Sequence, residues 1–480
     1  MATLNKKSLR EEFDKLEAEF ARLSSEGKVS KESQTLINAM IGLFRILIAV
    51  FMEKATKKNN KNSSIPSSQT DKDESSKTRM GAKSKGSAEN NHLSANTRTV
   101  ENIEVVSVTS CEHCGEDLSD KSCDTHERRS KIDIVFEKVV THVDAEIKTC
   151  DKCHKQTKAS FPSDMKGPLQ YGSGIKAYMI NLIVAQMVAL GRVQKMVKTL
   201  IGKVISEATI LKYILQLNDA LKQWEQSAIE QLLASPTIHV DETSLRVNKK
   251  KSWIHVYSSG DITIKCLHQN RGLEAINDIN IIPRYGGVII HDCWSSYLSF
   301  DHCDHGLCGS HLLRELTFVV ESNNYKWASN MKKLLQETCK EVSQSEDKKL
   351  DDSAYKKLQK RYRAIITHAK KELPPIPKRT KGKRGKIAKS DAHNLLERME
   401  LHEKSVLRFA INEHVAFTNN RAERDLRMSK VKQKVSGCFR TEKLASAYCR
   451  ISAYLQTMSY KGYNPLVAIQ LALTKKNSLL

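Results

Sequence analysis

Apolar positions in the middle of the chain alternate with polar ones, as they do in half-buried β-strands. Three such stretches are separated by the polar turns Asn248-Lys249-Lys250 and Ser259-Gly260-Asp261. They predict a three-strand meander made of Thr237–Val247, Ser252–Ser258 and Ile262–His268.

The elements predicted after this meander alternate between helix and strand. They are a helix at Leu273–Asn280, a strand at Val288–Asp292, a short helix near Ser295 and a strand around His302–Leu307. Helices dominate from Ser310, and a break near Ser436-Gly437 precedes a last helical segment, 436–480. This order predicts an α/β fold of the RNase H-like type over residues 235–435, with a helical insertion at about 322–412.

The first 57 residues are predicted to form a coiled-coil helix for oligomerisation. One apolar seam repeats in steps of four and three residues: Leu36, Met40, Leu43, Leu47 and Val50. The apolar stretch from Leu36 to Met52 approaches the length of a membrane span, but Arg45 and Asn38 lie within it. We therefore expect self-association into a homo-oligomer rather than membrane insertion.

Three further segments separate this helix from the strands. Residues 58–100 are rich in Ser, Lys and Asn and are predicted to be a disordered linker. Residues 101–165 hold a cysteine-containing module, and residues 166–234 are helical and a candidate for DNA binding. Between Val193 and Leu217 the pattern fits a helix-turn-helix, with a turn at Ile201-Gly202 and Ser206 capping the second helix, but it also fits a helical bundle.

Two Cys-x-x-Cys pairs are the main signal in the cysteine module. Cys111 and Cys114 form one pair, and Cys150 and Cys153 form the other. Two such knuckles supply the four thiolates of a structural Zn²⁺ site. The module is therefore predicted to be a zinc ribbon, since the βαβ context of a redox pair is missing. Possible substitute ligands are Cys123, His126, His113 and His154. A second group could also bind metal, but it is expected to pack at a strand end beside the active site: His302, Cys303, Asp304 and His305 with Cys308 and His311.

The net charge favours a nucleic-acid partner. There are 78 Lys and Arg residues against 55 Asp and Glu residues, a formal charge of +23. Basic side chains displace counterions from phosphates, so DNA is a suitable partner. Twelve cysteines in 480 residues are too few for a disulfide scaffold, and no secretory signal opens the sequence. A cytoplasmic location, at the bacterial nucleoid, is expected.

Three acidic residues are the candidate chemical centre. Asp241 and Asp292 lie in or after short Ile- and Val-rich runs, and Glu423 lies one turn into a helix that begins near Thr418-Asn419-Asn420. Carboxylates from two strand ends and a helix can converge to hold two divalent cations for phosphoryl transfer. The alternatives are that Asp292 caps a helix and that Glu423 pairs with Arg427.

The blocks around these acids resemble those of insertion sequence 66 family transposases. The resemblance covers His239-Val-Asp-Glu-Thr243, Ile289-Ile-His-Asp-Cys-Trp294, Cys308-Gly-Ser-His311 and, most specifically, Asn419-Asn-Arg-Ala-Glu423-Arg-Asp-Leu-Arg427. It departs from the family at Cys293, where glycine is more common. The resemblance extends over essentially the whole chain.

The resemblance implies a DDE transposase with an RNase H-like core. Asp241, Asp292 and Glu423 would bind two Mg²⁺ ions about 4 Å apart, with Mn²⁺ as a substitute, and His311 would orient a phosphate or shuttle a proton. The resemblance around Glu423 continues to Arg440, and this glutamate block, residues 419–440, supplies basic residues that would contact DNA: Arg424, Arg427, Lys430, Lys432 and Arg440.

The expected partners are double-stranded DNA, as inverted-repeat element ends and as target, and accessory proteins encoded by the element. Two alternatives to a transposase stay open on sequence grounds. One is an RNase H-like nuclease or resolvase that cuts without joining, and the other is a zinc-ribbon DNA-binding regulator.

Overall fold

The computed structural model describes residues 6–59, 61–63, 103–131, 137–165, 167–376 and 389–474. The described residues form two compact units, the first from those within 1–87 and 226–433 and the second from those within 88–225 and 434–480. Most of the predicted linker, residues 64–100, lies outside the described residues.

A five-stranded mixed sheet is the centre of the first unit. Its strands are β3 (Thr237–Val247), β4 (Lys250–Ser259), β5 (Ile262–His268), β6 (Val288–His291) and β7 (Asp304–Leu307). The order is β5-β4-β3-β6-β7, with β3, β4 and β5 antiparallel and with β6 and β7 parallel to β3. The two-residue turn between β3 and β4 places Asn248 and Lys249 at positive φ, which suits a tight hairpin. The predicted α/β class is confirmed.

Helices pack around this sheet in the first unit. They are α7 (Leu273–Ile279), α8 (Gly309–Asn323), α9 (Lys326–Gln344), α10 (Asp352–Glu372), α11 (Asp391–Leu401), α12 (Glu403–Leu407) and α13 (Asn420–Ser436), with 3₁₀ turns at Ile282–Arg284 and Arg408–Ala410. The short helix predicted near Ser295 is a set of turns instead.

One apolar core joins β6 and β7 to the helices from α8 to α12. Trp327 of α9 is fully buried in it, and Tyr362 of α10 donates a 2.8 Å hydrogen bond to the Met399 carbonyl of α11. The helical insertion is therefore attached to strands β6 and β7.

The N-terminal segment is a pair of helices rather than the single predicted helix. Helix α1 (Lys6–Ser25) ends at a turn in which Gly27 has a φ of 69°, a conformation that glycine adopts without steric cost, and α2 (Lys31–Ala55) follows. Helix α2 packs against α8. The buried Glu53 carboxylate accepts hydrogen bonds from the backbone N–H groups of Asp391 (2.8 Å) and Ala392 (3.1 Å) at the start of α11.

The predicted seam of α2 is largely exposed. Leu36, Leu43 and Leu47 are each more than 60% exposed, and Met40 is 48% exposed. Helix α2 is also long and apolar enough to cross a membrane by length and composition, a criterion that the core helix of a soluble protein or a signal sequence meets as well.

The second unit holds a small two-stranded β-hairpin and a helical bundle. Strands β1 (Ile147–Thr149) and β2 (Gln156–Lys158) form a hairpin. The helices are α3 (Ser173–Ile180), continued by a π turn at Asn181–Ala185, then α4 (Leu190–Ile201), α5 (Glu207–Ala220), α14 (Glu442–Tyr460) and α15 (Pro465–Leu473). Helix α6 (Lys222–Leu233) spans the boundary between the two units.

Candidate functional site

Parallel pairing of β3 and β6 places two of the predicted acids side by side. His239 of β3 is in register with Ile290 of β6. Asp241 and Asp292 each lie two positions further in the same direction. Since neighbouring parallel strands run in step, both carboxyl groups reach the same edge of the sheet.

Helix α13 is fixed against this edge by Asn419, the residue before its first turn. The Asn419 side-chain amide donates a 2.7 Å hydrogen bond to the Val240 carbonyl, and its side-chain oxygen lies 3.0 Å from Nδ1 of His239. Asn419 is 1% exposed. These contacts with residues immediately before Asp241 place Glu423, in the first turn of α13, over the two aspartates.

The pKa of Asp241 reflects burial and its acidic neighbours. Burial is the largest cause that raises the pKa of Asp241 well above its ordinary value, and the negative charges of Glu242, Asp292 and Glu423 raise it further. A carboxyl group surrounded by other acids is costly to ionise without a cation. In addition, the buried Oε1 atom of Glu423 has no hydrogen-bond partner.

This donor set fits divalent cations. Carboxylate oxygens are the ligands that Mg²⁺ and Mn²⁺ prefer, and a bound cation would remove the repulsion among the acids. Asp241, Asp292 and Glu423 are the residues that would hold it. The structure thus places the three acids predicted from sequence near the same edge of the sheet, although the oxygens of all three do not lie within 4.8 Å of one another.

His311 lies beside this acidic group. Its Nδ1 is 3.8 Å from the Glu423 carboxylate. Burial alone would lower the pKa of His311, but the Cys308 thiol, the Glu423 charge and the Asp292 charge outweigh it and raise the pKa to about 9. His311 is therefore protonated at neutral pH and offers a positive charge at the site.

The Asp292 backbone turns sharply after β6. Its Oδ1 accepts a 3.1 Å hydrogen bond from the backbone N–H of Trp294, and the intervening Cys293 has a φ of 72°. Few residues other than glycine adopt this left-handed conformation. This conformation explains why glycine is more common at this position in the family that the sequence resembles.

An ion pair between the buried Glu242, next to Asp241, and the partly exposed Arg271 was not predicted from the sequence. The Glu242 side chain is 2% exposed, and its two oxygens accept hydrogen bonds from Arg271 (2.8 Å) and the Tyr297 hydroxyl (2.6 Å). The Arg271 guanidinium also lies over the rings of Trp253 and Trp294, 5.1 and 4.3 Å from their centroids. The available signal was an acid inside a buried strand, which requires a cationic partner.

The basic residues of the glutamate block divide into two groups. Arg424, Arg427, Lys430 and Arg440 are exposed, whereas Lys432 is buried at 7% exposure. The first three recur every three residues on α13 and so lie along one side of the helix. Lys432 does not lie on that exposed side, and its predicted contact with DNA stays a prediction.

The histidines around β7 are held by hydrogen bonds of the strand end. His302 lies 3.0 Å from the Ile282 carbonyl, and His305 lies 3.1 Å from His291 and 3.2 Å from the Phe300 carbonyl. This arrangement is the strand-end packing expected from the sequence.

The two Cys-x-x-Cys pairs form turns of the same design. In each, the backbone N–H of the first cysteine donates a hydrogen bond to the carbonyl of the residue five positions later. These bonds run from Cys111 to Glu116 (2.8 Å) and from Cys150 to Lys155 (3.0 Å). Backbone N–H groups of the following residues donate to the Cys111 and Cys150 sulfurs and lower both pKa values. Such turns favour thiolates, the form that binds Zn²⁺.

Among the described residues, the four thiols of these turns do not meet at one point. The potential metal ligands that do lie within 4.8 Å of one another belong to a different group of residues. The zinc site therefore stays a prediction. Residues 132–136, between the two turns, lie outside the described residues.

The segment proposed as a helix-turn-helix consists of two helices joined as expected. Helix α4 ends at Gly202, whose φ is 71°, and the Ser206 side chain accepts a hydrogen bond from the Thr209 N–H at the start of α5. Ile210, Ile214 and Leu217 of α5 are buried, while Lys203 and Lys212 are exposed. Both interpretations of α5 therefore stay open: a helix that enters the DNA major groove, or a helix of a packed bundle.

Comparison with known proteins identifies the chain. The chain matches no curated protein. The family model described as Transposase IS66 family matches residues 168–447, which include all three acids and more than half of the chain. The protein therefore belongs to the IS66 family of transposases.

Proposed function

We propose that this transposase cuts the ends of its element and joins the resulting 3′-hydroxyl ends to target DNA, using two divalent cations at Asp241, Asp292 and Glu423. The observation that carries the proposal is the position of the three acids: β3 and β6 place Asp241 and Asp292 at one edge of the sheet, and the Asn419 contacts place Glu423 beside them. Burial, and then the charges of Glu242, Asp292 and Glu423, raise the pKa of Asp241. Family membership supports a transposase role in general.

An RNase H-like core is the fold that we propose for the first unit. The sheet order β5-β4-β3-β6-β7 supports it, because three antiparallel strands are followed by two strands parallel to the first. In this arrangement the central strand and its parallel neighbour deliver the two aspartates to one edge, while the helical insertion separates them from Glu423 along the chain.

Magnesium ions, when bound, would activate the attacking oxygen and stabilise the leaving one during in-line displacement. The acids would hold these ions at the edge of the sheet, where all three are half-buried. The protonated His311 would donate a hydrogen bond to a phosphate oxygen rather than accept a proton. The exposed Arg424 and Arg427 would contact neighbouring phosphates and so fix the DNA strand across the acids.

Two structural roles complete the proposal. The Cys111, Cys114, Cys150 and Cys153 thiolates would bind one Zn²⁺, supported by their matching turns. The exposed seam of α2 would pair with another copy of the chain, since Leu36, Leu43 and Leu47 leave an apolar stripe in contact with water. A homo-oligomer on DNA at the nucleoid, with accessory proteins encoded by the element, completes the expected assembly.

A DNA cleavage and joining experiment tests the function. The substrate carries the inverted repeats that flank the coding region, and wild type is compared with Asp292→Asn. Loss of cleavage with unchanged DNA binding supports an enzyme, whereas undiminished function would support the regulator. A donor end that lacks its 3′-hydroxyl should still be bound but not joined. Cleavage by wild type without any joining of a normal end would support a nuclease or resolvase instead.

A further inference from the structure

Three side chains of different chemistry meet next to the magnesium ligands. The ligand atoms of Cys308, His311 and Glu423 all lie within 4.8 Å of one another. Among the residues that the structure describes, no other group of three or more His, Cys, Asp and Glu side chains is so close.

The local fold produces this cluster from two helix starts. Cys308 is the residue before α8, and His311 lies in the first turn of that helix. Glu423 comes from the first turn of α13. The two helix starts are tied together because the Asn419 N–H donates a 3.1 Å hydrogen bond to the Cys308 sulfur. Hydrogen bonds of this kind commonly stabilise a metal-bound thiolate.

Two polar atoms in the cluster lack partners. His311 Nδ1 and Glu423 Oε1 are both buried, and neither has a hydrogen-bond partner. By contrast, both oxygens of the neighbouring Glu242 are paired. The two atoms face each other 3.8 Å apart, a separation too long for a hydrogen bond. A metal ion that displaces the His311 proton would bind both atoms directly and so satisfy them.

The donor types select the cation. A thiolate and an imidazole are ligands for Zn²⁺ and chemically similar ions rather than for Mg²⁺. His311 Nδ1 and Glu423 Oε1 are 3.8 Å apart. Two ligands about 2 Å from a tetrahedral ion lie roughly 3.3 Å apart, so a small side-chain adjustment closes the site. Three protein ligands leave the fourth position to water or to a phosphate oxygen.

We propose that Cys308, His311 and Glu423 form a binding site for a thiophilic divalent cation, of which Zn²⁺ is the best match, and that its occupation inhibits the enzyme. The site is distinct from the Cys-x-x-Cys pairs. Inhibition follows because Glu423 cannot serve the magnesium pair while it holds Zn²⁺. The proposed binding of the cation does not depend on the proposed function, whereas the inhibition rests on the proposed catalytic role of Glu423.

Cobalt binding tests the site without reference to activity. The full-length protein is first loaded with one equivalent of Zn²⁺, and Co²⁺ is then titrated while the thiolate-to-cobalt charge-transfer band is recorded. Wild type should show a saturable band that Cys308→Ser lacks. His311→Asn, which retains the thiol, should bind Co²⁺ at least about tenfold more weakly. The matched control is Cys339→Ser, a half-buried thiol of α9, which should behave as wild type.

Zinc inhibition is then measured in the cleavage assay at constant Mg²⁺, with each variant referred to its own zinc-free rate. Wild type and Cys339→Ser should be inhibited by Zn²⁺ at concentrations at least about tenfold lower than His311→Asn. Absence of the cobalt band in wild type, or its persistence in both Cys308→Ser and His311→Asn, would overturn the site whatever the outcome for catalysis. Equal zinc sensitivity of all variants would overturn the inhibitory role.

Discussion

The Asp425 carboxylate of α13 accepts a 2.6 Å hydrogen bond from the Ser258 hydroxyl of β4, 167 positions earlier in the chain. Asp425 is fully buried, and it also accepts hydrogen bonds from the Thr263 hydroxyl (2.7 Å) and from Arg421 (3.1 Å). These contacts attach α13 to the sheet two residues from Glu423. The position of the last acid is thus set by the antiparallel half of the sheet, while the parallel half sets the two aspartates.

Replacing Asp425 should therefore impair catalysis although Asp425 is not among the proposed metal ligands. Asp425→Asn is expected to lower the strand-transfer rate by about 10- to 100-fold, since a misplacement of about 1 Å at a reacting centre has effects of that size. Ser258→Ala, which removes one of the contacts, should have a smaller effect in the same direction. The control is Glu413→Gln, an exposed acid that pairs with Lys349. A wild-type rate and Mg²⁺ dependence for Asp425→Asn would contradict this positioning role.

The ion pair of Arg271 with Glu242 should contribute to stability because the acid is buried. Arg271→Ala is expected to cost about 2 kcal/mol, less than for a fully buried pair since Arg271 is partly exposed. Arg284→Ala is a matched control: both arginines are 41% exposed, but the partner of Arg284, Glu230, is 53% exposed. That control should cost below about 1 kcal/mol. Chemical denaturation measures both, and equal costs would contradict the account.

The same substitution should depend on pH. Burial raises the pKa of Glu242 even with both partners present, and removal of Arg271 raises it further. A group with a raised folded-state pKa loses its contribution to stability as the pH rises through that pKa. The cost of Arg271→Ala should therefore be larger at pH 8 than at pH 5.

The backbone at Cys293 should favour glycine. Because its φ is 72°, Cys293→Gly is expected to be more stable than Cys293→Ala by about 1 kcal/mol. At Cys339, inside α9, the same comparison should favour alanine by about 1 kcal/mol. Thermal unfolding of the four variants checks the two opposite orders. Alanine as the more stable residue at both positions would contradict the left-handed conformation.

Local patterns predicted the sheet well and the long-range contacts poorly. The bounds of β3 and β5 agree with the sequence prediction because polar turns interrupt clear apolar runs on each side. The break between α1 and α2 was missed because the Gly27 turn lies in a segment that is otherwise polar and helix-compatible. The proposed acids were found because each lies in or directly after a recognisable element: Asp241 in β3, Asp292 after β6 and Glu423 in the first turn of α13. The pairing of Glu242 with Arg271 was not, because nothing local encodes a contact between β3 and the loop before α7.

The matching cysteine turns predict one zinc ion per chain. Cys111→Ser and Cys150→Ser should each abolish it, since loss of one thiolate opens a tetrahedral four-sulfur site. Cys123→Ser is the control, because Cys123 is an exposed thiol of the same module that lies outside both turns. Metal analysis after dialysis against a weak chelator gives the content. Zinc-free wild type, or zinc retained in both variants, would contradict the ribbon.

The stability of the metal-free protein tests whether ionised Asp241 is disfavoured in the folded state. In metal-free buffer, Asp241→Asn should be more stable than wild type at neutral pH, because the raised pKa of Asp241 shows that its ionised form is disfavoured in the folded protein. The difference should shrink as the pH falls, since the folded protein then holds Asp241 protonated.

The most direct test of the cation site is the thermal shift produced by Mg²⁺ or Mn²⁺ in wild type, Asp241→Asn, Asp292→Asn, Glu423→Gln and the control Glu413→Gln. Wild type and the control should be stabilised, by about 1.4 kcal/mol at ten times the Kd, and the three acid variants much less. A wild type that does not respond to either cation, or acid variants that respond as wild type does, would contradict the account.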